Sequence, residues 1–377
     1  MEVRQGRVED LERRAAGNIQ GRMRINTQFW RGRHVLVTGH TGFAGSWLAA
    51  TLHRLGARVT GIALAPEAPA LFPLLAPRLN GITSHIADLR DPAAAPLVEK
   101  AAPEVVFHLA AESLVRRAYR EPAATFATNV LGTVHVLEAL RNAPSIRAAV
   151  LFTTDKVYAS QEWVWPYRET DRLGGNEPYG ASKAAAELAA AAYYHSYFAA
   201  NGPGIATMRA GNLIGGGDFS ADRLVPDFMR AAMRDTPLVV RRPQARRPWQ
   251  FVMEPILAML ALAERLHAEP QAYSEAWNVG PALRDTVTVE ELVRQLKQAW
   301  GDARMKVQLE KEPAGPPEAG TLAIDSAKLA LRLGWNPVWT LSEAVAKTAR
   351  WYKAHAEGDD MAEVTLHHIQ EFLDAAA

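Results

Sequence analysis

The apolar run Val35-Leu36-Val37, followed at once by Gly39, Gly42 and Gly45, constrains this chain more than any other segment. Consecutive apolar residues suit a strand buried on both faces, the environment of a parallel sheet. A glycine directly after such a strand permits a tight turn, a second lets a pyrophosphate reach the main chain, and a third lets the next helix pack close. The helix N-terminus then offers unpaired N–H groups to an anion. Set between a strand and a helix at 47–55, Gly39-x-x-Gly42-x-x-Gly45 predicts a dinucleotide site rather than an ordinary turn.

Residues 58–64, 83–86, 103–110 and 149–154 also read as strands, with helical patterns at 91–101 and 122–141. Such alternation predicts an α/β chain built as a Rossmann-type, doubly wound parallel sheet. After about Ala210 the rhythm breaks at Gly215-Gly216-Gly217. Helices expected at 227–234, 255–267, 287–300, 326–333 and 341–356 then predict a smaller mixed C-terminal substrate domain. The expected division is 29–210 for the cofactor and 211–377 mainly for the substrate, with part of 238–281 returning to the first domain. Residues 1–28 interleave Arg with Asp and Glu and read as a mobile tail, with Met23 an alternative start.

Composition narrows the chemistry. The balance of 42 Lys plus Arg against 41 Asp plus Glu disfavours nucleic acid or an anionic membrane as a partner. Without cysteine there are no disulfides, thiolate zinc sites or cysteine nucleophiles, and no metal is expected. No apolar run reaches the roughly 18 residues a membrane span needs, so a cytoplasmic protein is expected.

The acid that binds the cofactor ribose usually stands about 20 residues past the last glycine. Here that point falls near Ala65, and Glu67 is the nearest carboxylate. With no arginine at the strand end to clamp a 2′-phosphate, NAD is favoured over NADP. Asp88 reads either as an adenine contact or as a turn former. Tyr179 and Lys183 follow Pro178, a residue suited to the first helical position, so they share one helix face. A phenol with a pKa near about 10 is a poor base at neutral pH, but a neighbouring cation favours the phenolate. Thr154-Asp155-Lys156 follow the fifth strand, where open α/β sheets bind ligands; Asp and Lys there can also simply pair with each other.

The glycine motif, Tyr179-x-x-x-Lys183 and Asn129 in NVLGT resemble the extended short-chain dehydrogenase/reductase superfamily. More narrowly, VTGHTGFAGSWL, TTDKVY, PYGASKAAAEL, AGNLIGGGDFSADRLVPD and RRPWQFVMEP are similar to CDP-glucose 4,6-dehydratases. That resemblance implies NAD held by Gly39, Thr41, Phe43, Gly42, Gly45, Asp88, Leu89, Ala110, Tyr179 and Lys183. It implies loss of water from CDP-glucose by internal hydride transfer from C4 to C6, giving a 4-keto-6-deoxy sugar. Tyr179 would take the 4-hydroxyl proton, with Lys183 lowering its pKa and holding the ribose and Thr154 aiming the sugar oxygen. Asp155 would protonate the departing 6-hydroxyl. Lys156 stands where dTDP-glucose dehydratases carry Glu, and would serve either as the C5 base or as a cation stabilising the enolate.

A nucleotide sugar's diphosphate calls for arginine forks, which points to Arg247 first and Arg223 second, each of which can also be an ordinary surface arginine. Asn212 resembles the family's diphosphate contact, and Glu112 is a further expected substrate contact. Trp249 reads as core. Ala44, Glu112-Ser113 and Phe251 depart from the CDP-glucose pattern, where Lys, Gln-Pro and His are expected, and put the nucleotide in question more than the reaction. The alternatives are another NDP-hexose such as dTDP-glucose, a 4-epimerase, or a non-catalytic NAD-sensing regulator. Helices at 122–141 and 178–200 resemble those that pair in the superfamily's dimers, so a homodimer or homotetramer is expected.

Overall fold

The computed structural model describes residues 23–301, 305–309 and 320–377. Its centre is a seven-stranded, all-parallel sheet. The strands are β1 (His34–Thr38), β2 (Arg58–Ala63), β3 (Thr83–Ile86), β4 (Val105–His108), β5 (Ala148–Phe152), β6 (Gly204–Ala210) and β7 (Ala276–Val279). Across the sheet they run 3-2-1-4-5-6-7. β1, β4 and β6 are buried along their whole length, because helices cover both faces.

Alternate strand residues divide the core. Leu36, Val106, Ala149 and Ile205 meet Val98, Val136 and Leu140 from helices Ala95–Ala101 and Gly132–Asn142. Val35, Val37, Phe107 and Met208 meet Trp47 and Leu48 of helix Phe43–Arg54 and Ile256 and Leu260 of helix Met253–Ala268. A smaller, mixed C-terminal region closes over the carboxyl edge through helices Leu224–Arg234, Val289–Trp300 and Leu341–Glu357 and three two-stranded sheets.

Several expectations need correction. β6 and β7 were not foreseen: Arg209 lies inside β6, and its charge disguises a strand whose partner is distant in sequence. Thr286–Thr288 is a strand, so the helix expected from 287 begins at Val289. A final helix, Met361–Ala376, was also missed; it lays Ile369 and Phe372 into the main core.

Residues 1–22 of the expected tail lie outside the described residues. Residues 23–28 are docked rather than mobile. The amide of Met23 donates to Gly334 O at 2.8 Å and the amide of Asn26 to Glu264 Oε1 at 2.9 Å. The indole of Trp30, fully buried, donates to the same carboxylate at 2.7 Å. Burial of one large side chain anchors a segment that looks polar on its own. Trp30→Ala should lower the unfolding free energy by about 3–5 kcal/mol in a denaturant titration. A change under about 1 kcal/mol would show that the anchor carries no core packing.

Candidate active site

Between β1 and β4 the strand order reverses, and a cleft of about 540 Å³ opens at the carboxyl edge. Gly39, Thr41, Gly42, Phe43, Gly45, Asp88, Leu89 and Ala110 line one end. Thr154, Asp155, Lys156, Tyr179 and Lys183 line the middle, with Asn212, Arg223 and Arg247 beyond them. Of the expected site residues, Glu112 alone is outside this lining.

The glycine end has the shape a pyrophosphate needs. Gly39 has φ +74°, and a Cβ there would come within 2.7 Å of the Ala110 nitrogen. A Cβ on Gly45 would run into the Gly39 carbonyl. Helix Phe43–Arg54 starts at Gly42 with no side-chain cap, so its first N–H groups face the cleft unclaimed by a capping residue. The helix begins four residues earlier than expected, inside the glycine motif itself.

The Asp88 carboxylate is gripped by Arg90, with Nε at 2.8 Å and Nη2 at 2.6 Å, which holds it below its ordinary pKa. Glu67 stays on the surface 3.6 Å from Arg117, and Ala63 and Leu64 line the cleft in its place.

Helix Pro178–Tyr193 opens with Pro178 at its first turn, and Glu177 accepts the amides of Tyr179 and Gly180 at 2.7 Å each. Tyr179, Lys183 and Glu187 fall four residues apart on one buried face. Lys183 Nζ donates to Phe152 O at 2.7 Å, and burial pulls its pKa down to about 8 against the opposing charge of Glu187. Burial pushes the Tyr179 phenol up to about 12. A hydrogen bond with Thr154 and the charge of Arg223 pull it back. The Lys183 amine is turned to the Phe152 carbonyl, and Arg223 is a cation whose charge acts on the phenol.

Asp155 is buried at 2% exposure, which raises its pKa, with Lys156, Thr154 and Arg247 opposing. Its Oδ1 accepts from Thr154 at 3.1 Å, while Oδ2 has no hydrogen-bond partner among the described residues. A raised carboxyl with an uncommitted oxygen is equipped to donate a proton. β5 ends at Phe152 rather than Thr154, and the chain leaves the sheet in time to turn Thr154, Asp155 and Lys156 into the cleft.

Toward the substrate end, Arg223 donates to Asp218 at 3.0 Å and to Ser113 at 2.9 Å. Arg247 donates to the Arg246 carbonyl at 2.9 Å. Glu112 corrects the expectation. Its carboxylate accepts the Leu114 amide and lies 3.3 Å from Arg117, so Ser113 lines the cleft in its stead. Of the departures from the CDP-glucose pattern, Ala44 and Ser113 border the cleft. Phe251 packs against Trp47, Trp339 and Phe372 in the core, outside the cleft lining. Trp249 serves both core and cleft.

Glu187 and Arg209 escaped sequence reasoning. They form a buried pair behind Lys183, with Arg209 Nη2 to Glu187 Oε2 at 2.8 Å. The available signal was a lone arginine inside an apolar run.

If Arg223 is the cation that lowers Tyr179, Arg223→Gln should raise the phenol pKa further. At saturating substrate, the ascending limb of kcat against pH should move to higher pH. An unmoved limb would remove Arg223 from that part.

A family profile described as GDP-mannose 4,6 dehydratase matches residues 36–348. The CDP-glucose 4,6-dehydratase of Salmonella typhimurium is 43% identical over 360 residues, 93% of this chain and 99% of that protein. A dTDP-glucose 4,6-dehydratase of Xanthomonas campestris pv. campestris is 30% identical over 335 residues, 84% of this chain and 92% of the relative. Among solved structures, a dTDP-glucose 4,6-dehydratase from Streptomyces venezuelae with NAD bound is similar at TM-score 0.73 and 25% identity, over 86% of this chain and 98% of that one. A UDP-glucose 4-epimerase from Thermotoga maritima shares the fold at TM-score 0.74 and 23% identity, over 85% of this chain and 99% of that one. The matched profile spans most of the sheet and cleft just described, and the chain belongs to the GDP-mannose 4,6 dehydratase family of extended short-chain dehydrogenase/reductases.

Proposed function

We propose that this chain is an NAD-dependent nucleotide-sugar 4,6-dehydratase, a hydro-lyase that converts CDP-glucose to CDP-4-keto-6-deoxyglucose and water. The observation that carries the reading is the buried Asp155, its carboxyl raised and one oxygen uncommitted, beside Thr154 and Tyr179. A 4-epimerase has no water to expel and no need of such an acid. The 43% identity to the Salmonella CDP-glucose enzyme favours cytidine over other nucleotides.

The glycine cradle, the uncapped helix start and the rim residues Thr41, Phe43, Asp88, Leu89 and Ala110 fit NAD. Bound there, NAD supplies hydride acceptance at sugar C4 and hydride return at C6. The chain manages protons and charge. Tyr179, helped toward phenolate by Arg223 and Thr154, takes the proton of the 4-hydroxyl. Thr154 holds the same sugar oxygen, and Lys183 secures the ribose side of the cleft. The resulting 4-ketone acidifies the C5 proton. A water takes the C5 proton and returns one to C5 when C6 is reduced, while Lys156, the cation next to Asp155, stabilises the enolate. Asp155 passes its proton to the departing 6-hydroxyl. Arg223, Arg247 and Asn212 bind the diphosphate end, where charge-assisted forks recognise phosphate.

Among the described residues no helix is long and apolar enough to cross a membrane. The segments 122–142 and 178–198 leave Phe126, Leu131, Leu188 and Tyr197 at 40–61% exposure. Exposed apolar groups of this size favour a partner surface, so the proposed state is a homodimer through these helices. Leu188→Glu should convert the dimer to monomer in sedimentation; an unchanged mass would place the interface elsewhere.

The function is tested by incubating the protein with CDP-, dTDP-, UDP- and GDP-glucose, with and without NAD, followed by mass spectrometry. Loss of one water from CDP-glucose alone is expected. Clean loss from dTDP-glucose would overturn the substrate, and isomerisation without mass change would overturn the reaction. Binding of NAD with no turnover of any sugar would point to a regulator. Asp155→Asn should retain NAD binding and lose dehydration by a factor of roughly 10²–10⁴, the usual worth of a general acid.

A further inference from the structure

His108 is a buried titratable group that the proton transfers above leave unused. It ends β4 at 2% exposure. Its Nδ1 lies 2.7 Å from Thr38 Oγ1, at the last residue of β1 before Gly39, and its Nε2 lies 3.0 Å from Thr133 Oγ1. Donor accounting assigns the ring. The Thr133 hydroxyl gives its single proton to Asn129 O at 2.7 Å, so it can only accept from Nε2–H. Nδ1 is then the acceptor for the Thr38 hydroxyl, and Thr38 Oγ1 itself accepts the Ala110 amide at 3.2 Å.

The chain of contacts continues past Asn129. Its Oδ1 accepts the Glu112 amide at 2.8 Å, and its Nδ2 donates to Glu112 O at 3.0 Å and to Ser182 Oγ at 2.8 Å. Ser182 Oγ donates to the Tyr179 carbonyl at 2.7 Å. Thr38, His108, Thr133, Asn129 and Ser182 are all at most 2% exposed. A buried path therefore joins the turn that cradles the pyrophosphate to the first turn of the Tyr179 helix. Burial, reinforced by the Lys183 charge, holds His108 near pKa 3, so it stays neutral in a single tautomer at working pH.

We propose that His108 is a positioning residue that fixes the cofactor turn at Thr38–Gly39 relative to the Tyr179 helix through Thr133, Asn129 and Ser182. Gly39 already touches the Ala110 backbone, so a shift of the β4 end relative to β1 would move the cofactor cradle. The same shift would travel through Asn129 to the main chain of Tyr179. The nucleotide-sugar end of the cleft is reached only indirectly, through the Glu112 backbone that Asn129 holds and the next residue, Ser113, which accepts from Arg223 at 2.9 Å; Arg247 and Asn212 are not members of this path. The inference rests on the NAD reading above.

The test compares wild type with His108→Phe, which keeps a planar ring and removes both hydrogen bonds, and His108→Gln, which keeps an acceptor and a donor. Thr133→Val, nearly isosteric, removes the link onward to Asn129 and serves where His108→Phe fails to fold. NAD affinity is read by calorimetry, and kcat and KM for CDP-glucose at saturating NAD. His108→Phe and Thr133→Val should weaken NAD binding and lower kcat by roughly tenfold or more, the worth of stranded buried polar groups. KM for the sugar nucleotide should move less than about threefold, and His108→Gln should restore most of both losses. Unchanged NAD affinity and kcat in both disrupting variants would overturn the inference. So would an equal loss of NAD and sugar-nucleotide affinity, or a His108→Gln variant no better than His108→Phe. Wild type that binds no NAD would instead sink the cofactor reading, and the inference with it.

Discussion

The site depends on the buried ion pair between Glu187 and Arg209. Glu187 accepts two bonds from Arg209, at 2.8 and 3.1 Å, one from Thr153 at 2.5 Å and one from Thr207 at 2.7 Å. Arg209 also reaches the Tyr158 hydroxyl at 2.9 Å and the Glu169 carbonyl at 3.1 Å. Helix Pro178–Tyr193 is thus bolted to β6 and to the end of β5. Breaking such a pair from one side typically costs about 3–5 kcal/mol, because it strands a buried charge. Lys183 is one turn above Glu187 and Tyr179 one turn above that, so their placement follows from where Glu187 is held. Thr153, also held by Glu187, immediately precedes the Thr154-Asp155-Lys156 turn.

Burial then sets the chemistry. The surroundings that raise Tyr179 and Asp155 and lower Lys183 all disfavour charge. For Asp155 this yields a carboxyl suited to giving up a proton to a leaving hydroxyl. For Tyr179 it demands compensation, to which Thr154 and Arg223 contribute. An arginine tied to Asp218 and Ser113 thereby acts on the Tyr179 phenol from across the cleft. Near-zero net charge means that attraction for an anionic sugar nucleotide comes from such placed arginines and not from a global field.

Local patterns were readable where the chemistry is local. Val35–Val37 with three glycines announced a strand, a turn and an open helix start, and Pro178, Tyr179 and Lys183 announced a shared helix face. The failures involve pairs remote in sequence. Arg209 made β6 look unlike a strand until Glu187 supplied its counter-charge. Residues 23–28 looked unanchored because Glu264, which receives the Asn26 amide, is 238 positions away. Glu112 stands where the CDP-glucose pattern has Gln, and Leu114 and Arg117 claim its side chain. Phe251 looked like a change in the site and is a change in the core, since nothing in its immediate sequence reveals that the short strand Gln250–Phe251 is buried beyond the cleft lining.

The central claim is that one cleft removes hydrogen from C4 of the sugar and returns it to C6 while Asp155 and Tyr179 handle the protons. CDP-glucose carrying deuterium at C4 tests it most directly. The isolated 4-keto-6-deoxy product should keep that deuterium, located at C6 by NMR. A product whose C6 hydrogens come only from solvent, with the label lost, would contradict it.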